Sequence, residues 1–360
     1  MKKYFISFSV LVAGLALVAA IKAPTTNHKG ADVKSISALT FGPDGILFIG
    51  DSKSATVFAV NTKDSKKQNA SAFEMKHIDE KIAAALGTAK ENIKIIDMAV
   101  NPLSKKVYIA VQNADGTPVL LTIDGDKLVA VSLKDLAATS VVLNDAPAED
   151  AKDQRGNSLR ISSISDIGYD NGQLLVSGIS NHEFNSSFKS IPYPFTSKQD
   201  EATLEIYHAS HGRYETKSPI RTFTTATING KKYLVASYTC TPLVLFDMSE
   251  LKPGTHVKGR TVAEMGAGNS PIDMVTLKNN SPVLVMNNTR YPVAKVDYKN
   301  IAAFEGTLTE QVKGTAGVGF AATTLTNVLQ MDKLDDNQVV MIQKKADGSI
   351  DLWTANENNL

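Results

Sequence analysis

The chain has a single cysteine, Cys240, so no disulfide can close within it. It also lacks an excess of either charge: 38 basic residues face 37 acidic ones, a formal net charge of +1. Nucleic-acid binding ordinarily leaves a basic stripe, or exposed aromatics with basic neighbours, and neither is present. The same balance gives no polybasic patch for a membrane surface. No C-x-x-C-H occurs, which excludes covalent haem attachment. There is no G-x-S-x-G, no P-loop and no dinucleotide fingerprint. Ser186-Ser187-Phe188-Lys189 fits S-x-x-K, but neither K-T-G nor S-D-N accompanies it. With bridges excluded, stability has to come from packing.

The first residues read as a targeting segment. Lys2 and Lys3 precede an apolar run from Phe5 to Val18, and Val18-Ala19-Ala20 offers a small-residue cleavage site. The run is shorter than the ~20 residues a spanning helix needs. We therefore expect a signal peptide over residues 1–20 and a periplasmic or secreted protein with no membrane span after cleavage. Residues 21–34 form an N-terminal segment, and residues 35–357 a single domain.

What the remaining chain does contain is a repeat. Six segments share a few apolar or small residues, a marked position, another apolar residue, a turn and a strongly apolar run. They are I-S-Ala38-L-T-F, I-I-Asp97-M-A-V, I-S-Asp166-I-G-Y, F-T-Thr225-A-T-I, P-I-Asp273-M-V-T and L-T-Asn327-V-L-Q. A supersecondary unit of about 40–50 residues or more, built of short strands, predicts an all-β protein folded as a six-bladed β-propeller. Seven blades stay open, because Lys127 to Val142 holds further strand-like pieces. Only a radial array brings the marked positions together on one axis.

Each unit predicts three strands and a weaker outer one. Asp170-Asn171-Gly172 and Asn229-Gly230 are hairpin turns, and Lys278 to Asn280 is a turn in the fifth unit. Glu205 to Tyr207 and Arg260 to Ala263 are candidate outer strands. The sixth unit stops soon after Trp353, so the N-terminal segment near Asp32 to Ser35 is expected to complete it. Ile78 to Ile93 reads as one short helical insertion that Gly87 ends or kinks. Asn181 to Asp200 reads as a long loop rich in apolar side chains, either packed on a blade or plugging the channel.

Two residue sets should converge at one end of the channel. Asp97, Asp166, Thr225, Asp273 and Asn327 come from the innermost strands. Asn181, His182, Cys240, Asn287, Asn288 and Arg290 lie at or just beyond the ends of the second strands. Carboxylates, amides and an imidazole suit a hard cation or a polyhydroxylated ligand. Two carboxylates about 7 Å apart at an effective dielectric of about 20 repel by roughly 2 kcal/mol. Such a ring needs relief from a cation, from proton uptake or from hydrogen bonds to neighbouring blades. His208 and His211 read as residues of one outer strand whose spacing puts them on opposite faces, which argues against a shared metal. A thiol–imidazole pair of Cys240 with His182 is the other candidate, against the common reading of a lone cysteine as a small buried apolar group.

The run Ala38-Leu39-Thr40-Phe41-Gly42-Pro43-Asp44-Gly45-Ile46-Leu47-Phe48-Ile49-Gly50-Asp51 and its five echoes resemble the six-bladed propellers that include NHL-repeat proteins and the gluconolactonase/SMP-30-like metal lactonases. Ser180 to Phe184 and Tyr238 to Pro242 also look like part of a group of exported bacterial propellers. The lactonase resemblance implies a divalent cation such as Ca at the channel mouth, with Asp273, Asn181 and Asn287 as its ligands. Ala38 stands where those lactonases carry an E-G-P opening, so the metal signature is incomplete. Two functions follow: a module that binds a partner protein or small polar ligand, or a metal-dependent hydrolase of the lactonase/esterase type. The incomplete signature puts binding first.

Overall fold

The computed structural model describes residues 26–278 and 282–360. The expected signal peptide, and the turn at Lys278 to Asn280 apart from its first residue, lie outside the described residues. Six sheets stand around a central channel, each with its innermost strand on the axis. The second strand of each sheet is covered on both faces by neighbouring blades, which is why it reads as a nearly continuous apolar run. Leu47, Phe48 and Ile49 are fully buried in Ile46–Asp51, as are Leu284, Val285 and Met286 in Val283–Asn288. Asn171 (φ 46°) with Gly172 (φ 79°) and Asn229 (φ 49°) with Gly230 (φ 77°) take the left-handed conformations a two-residue hairpin requires.

The blades do not follow one another around the ring in chain order. By their innermost strands they are first (Ala38–Phe41), second (Ile93–Val100), third (Asp166–Asp170), fourth (Thr222–Ile228), fifth (Pro271–Leu277) and sixth (Val328–Lys333). The first blade packs between the second and the third, and the sixth closes against the second. After finishing the second blade with Lys127–Ala130, the chain runs back along the outside of the first. There Ala137–Val142 pairs with Thr56–Asn61 as the first blade's fourth strand. The strand-like pieces over Lys127 to Val142 are thus outer strands of two blades, and the ring has six.

The sixth blade takes its outermost strand from Glu74–Met75, which pairs with Trp353 and Leu352. This corrects the expectation that the N-terminal segment would complete it. Thr26–Lys29 instead pairs with Ala137–Val142 at the outer edge of the first blade. The segment between the first and second blades lies closer to the open edge than the N-terminus does. The helix beside it is shorter than expected, Ile78–Leu86. Gly87 (φ 65°) ends it, with its N–H turned back to the Ala84 carbonyl, and Ile93 already begins the next strand. Ile78 and Ile82 are fully buried and join the core between the second and sixth blades.

The Asn181 to Asp200 stretch is not a plug. Ser186–Pro192 is the third strand of the third blade, and Asp200 begins its fourth, Asp200–His208. Phe188, Ile191 and Phe195 are buried in cores on either side of that blade. Phe188 and Ile191 are thus ordinary strand residues, and Phe195 packs from the connection that follows them.

Candidate functional site

The innermost strands place five aspartates on one cavity of about 210 Å³: Asp97, Asp166, Asp170, Asp273 and Asp332, of which Asp170 is ion-paired with Lys232. Leu39, Met98, Phe223, Thr225 and Met331 also line it, and no Lys, Arg or His does among the described residues. Each of the other four carboxylates receives a backbone N–H from a neighbouring blade. The donors are Leu39 to Asp97 (2.6 Å), Phe223 to Asp166 (2.9 Å), Met331 to Asp273 (2.7 Å) and Val100 to Asp332 (2.6 Å). Asp97, Asp166 and Asp332 accept a second bond from the amide of the next residue in sequence. All four interblade bonds point the same way around the ring, from third to fourth, fifth to sixth, sixth to second and second to first. The acids therefore tie four of the six blade junctions.

Two amide bonds to a carboxylate normally favour its charged form. Here burial outweighs them. It raises Asp166 to about 7 against the pull of the Phe223 and Ile167 amides, and Asp332 to about 6 against those of Val100 and Lys333. Asp97 stands well above the ordinary carboxylate value, first through burial and then through the charge of Asp166. Asp273 does so through burial and the charge of Asp97. These four acids share too little water to ionise freely.

Asp332 was absent from the expected ring, and Asn327 was in its place. Asn327 is exposed just before the strand and contributes only its carbonyl, to the Lys344 N–H. Interval, not local pattern, marks the right residue. Asp332 follows Asp273 by 59 positions, the step that separates Ala38 from Asp97 and Asp166 from Thr225.

The second expected set scatters. Asn287 is fully buried and both ends of its amide are engaged: Oδ1 accepts the Asp273 N–H (2.8 Å) and Nδ2 donates to the Val328 carbonyl (3.1 Å). Alanine there would strand a buried N–H and a buried carbonyl. Asn287→Ala should cost about 2–3 kcal/mol of unfolding free energy in urea denaturation. Asn288 is buried behind it, its Nδ2 near the Pro292 carbonyl at 3.3 Å. Asn181, exposed, and Arg290, exposed, do not line the cavity. His182 lies 3.8 Å from the carboxylates of both Asp145 and Glu201, away from the channel. Asp273, Asn181 and Asn287 are thus not assembled around one cavity. Cys240 does not meet His182: its Sγ is 3.8 Å from Nε2 of His211.

No protein-family model matches the chain, and no curated protein sequence does. Among solved structures it is similar to Drosophila Plexin A in complex with Semaphorin 1b, at 10% identity and a TM-score of 0.39, over 91% of this chain and 86% of that one. It is similar to PorZ, a surface component of the type-IX secretion system of Porphyromonas gingivalis, at 10% identity and a TM-score of 0.39, over 92% of this chain and 38% of that one. A third is the extracellular domain of a putative hybrid two component system from B. thetaiotaomicron, at 11% identity and a TM-score of 0.34, over 88% of this chain and 32% of that one. The six-bladed architecture itself rests on the strands described above.

Proposed function

We propose that this chain is an exported binding module whose channel takes a small polar ligand bringing positive charge or several hydrogen-bond donors. The observation that carries this reading is four carboxylates without an ion-pair partner on one cavity, beside Asp170 with its Lys232, and no basic side chain among the described lining residues. Each still has lone pairs free beside its backbone bonds. A ligand of that chemistry replaces the missing countercharge and lets the acids ionise. Export rests on the charged start and apolar run of residues 1–20, and no helix among the described residues is long and apolar enough to cross a membrane.

The hydrolase alternative needs a cation held by Asp273, Asn181 and Asn287. The amide of Asn287 is engaged with backbone at both ends, and Asn181 is not on the cavity, so binding without chemistry is the better reading. Calorimetric titration at pH 8 with calcium, putrescine and glucose tests it and separates a divalent cation, an amine and a polyol. The expected result is saturable binding of one of the three that falls at least tenfold in Asp273→Asn. Absence of binding by all three, or binding indifferent to both Asp273→Asn and Asp97→Asn, would overturn it.

A further inference from the structure

A second cluster of reactive side chains sits at the seam of the third and fourth blades, away from the channel. His208 ends the strand Asp200–His208, and His211 follows in the tight turn to Arg213–Glu215. That turn breaks the strand period, so the two rings fold onto one side with centroids 4.0 Å apart instead of pointing to opposite faces. One carboxylate orients both. Nδ1 of His208 is 2.8 Å from Oε2 of Glu215, and Nδ1 of His211 is 2.7 Å from Oε1. An ionised carboxylate only accepts, so both rings carry their proton on Nδ1 and present a lone pair at Nε2.

The His211 lone pair meets Cys240, its Nε2 3.8 Å from Sγ. The ligand atoms of His208, His211 and Cys240 all lie within 4.8 Å of one another. Cys240 (φ 67°) and Thr241 (φ 54°) are both in left-handed conformation, and the turn is pinned by the Cys240 N–H to the Asn269 carbonyl at 2.6 Å. The decisive feature is what lacks a partner. His208 is only 2% exposed, and its Nε2 has no hydrogen bond. Glu264, fully buried on the fourth blade's outer strand, has Oε1 4.0 Å from that nitrogen and no partner for Oε2. Two orphaned polar groups at one buried point are costly unless something joins them.

We propose that His208 Nε2, His211 Nε2 and Cys240 Sγ bind a zinc-class transition-metal ion, with Glu264 as the fourth donor and Glu215 holding both imidazoles from behind. Nitrogen, thiolate and carboxylate together select such an ion over calcium or magnesium. Zn–N bonds of about 2.0–2.1 Å and a Zn–S bond of about 2.3 Å at tetrahedral angles put N and S roughly 3.5 Å apart. The observed 3.8 Å between Cys240 Sγ and His211 Nε2 needs a closure of a few tenths of an ångström. A carboxylate that fixes the far nitrogen of a ligating histidine is the usual outer-shell arrangement. Cys240, His211 and Glu215 also line up as a thiol–imidazole–carboxylate series, but that use leaves His208 Nε2 and Glu264 without a role.

Cobalt(II) titration of chelator-treated full-length protein tests the site, because a thiolate-to-cobalt charge-transfer band can arise only from the chain's single cysteine. One equivalent should give that band with the visible absorption of a four-coordinate ion, and zinc should displace it. Cys240→Ser should abolish the band, and His211→Ala, at an exposed position, should weaken binding at least tenfold while the fold is kept. Asp273→Asn in the channel should leave the band unchanged. Absence of the band in the folded wild-type protein, or a band insensitive to His211→Ala, would overturn the proposal.

Discussion

Unfolding free energy should fall by about 2–4 kcal/mol between pH 5 and pH 8, an unusual direction for a protein with this many carboxylates. The sign follows from the channel. Asp166 is raised to about 7 and Asp332 to about 6, while the unfolded chain ionises both near the ordinary aspartate value of 3.8. Each acid's contribution is therefore complete below about 3.8. It is lost as the unfolded chain ionises ahead of the native one, until the native pKa is passed. Between pH 5 and 7 Asp166 alone accounts for about 3 kcal/mol before channel water screens it. The charges facing it are few: Arg221 favours its ionisation, and the charge it then carries raises Asp97 and Asp273 across the channel. Paired surface carboxylates act the other way. Glu205, bonded to Lys258, and Asp247, bonded to Ser249, are held low and lose their contributions only in stronger acid. Urea denaturation at pH 5, 6.5 and 8 reads the slope. Asp166→Asn should flatten it, at the cost of one backbone bond at every pH, because the amide replaces one acceptor by a donor.

Gly178→Ala should cost about 3 kcal/mol and lower the melting temperature by several degrees, since an added methyl has nowhere to go. A Cβ at Gly178 would stand 2.2 Å from the Ser163 carbonyl oxygen and 2.6 Å from its carbon, both backbone. That segment fills the junction between the first and third blades, the place where ring order departs from chain order. Ser52 Oγ donates to the Ile164 carbonyl at 2.9 Å, and Ser163 Oγ to the Ser52 carbonyl at 3.2 Å. Ile164 itself presses on Gly50, whose Cβ would meet its Cγ2 at 2.8 Å. No channel aspartate ties this junction, so close backbone approach does. Gly319→Ala is the control: its Cβ meets nothing within 4 Å, and the change should fall within about 0.5 kcal/mol. Thermal and urea unfolding of the two variants side by side would check the difference.

The strands were legible because a blade's second strand is buried on both faces and its hairpins need left-handed turn residues. Ile46–Asp51, Val107–Asn113 and Val339 to Ile342 announce themselves by composition, and Asn171-Gly172 by its turn. The circuit was not legible. Nothing in Ala137–Val142 says that it returns to the first blade, or in Glu74–Met75 that it seals the sixth. Edge strands carry little apolar pattern, and their partner is set by which edge lies near when the chain passes. The channel acids were half legible. Asp97, Asp166 and Asp273 follow the repeat, whereas register irregularities within the sixth blade's first hairpin moved Asp332 away from the pattern that picked Asn327. The seam cluster was misread because strand periodicity was extended past His208, where a turn begins.

Carbon-13 carboxyl titration of the aspartates by NMR tests most directly whether acids from four separate repeats share one enclosed channel. The account predicts midpoints near 7 for Asp166 and near 6 for Asp332, with Asp97 and Asp273 far above ordinary aspartate, and a shift at one site when another is replaced by asparagine. Four independent midpoints near 3.8, unmoved by those replacements, would contradict it.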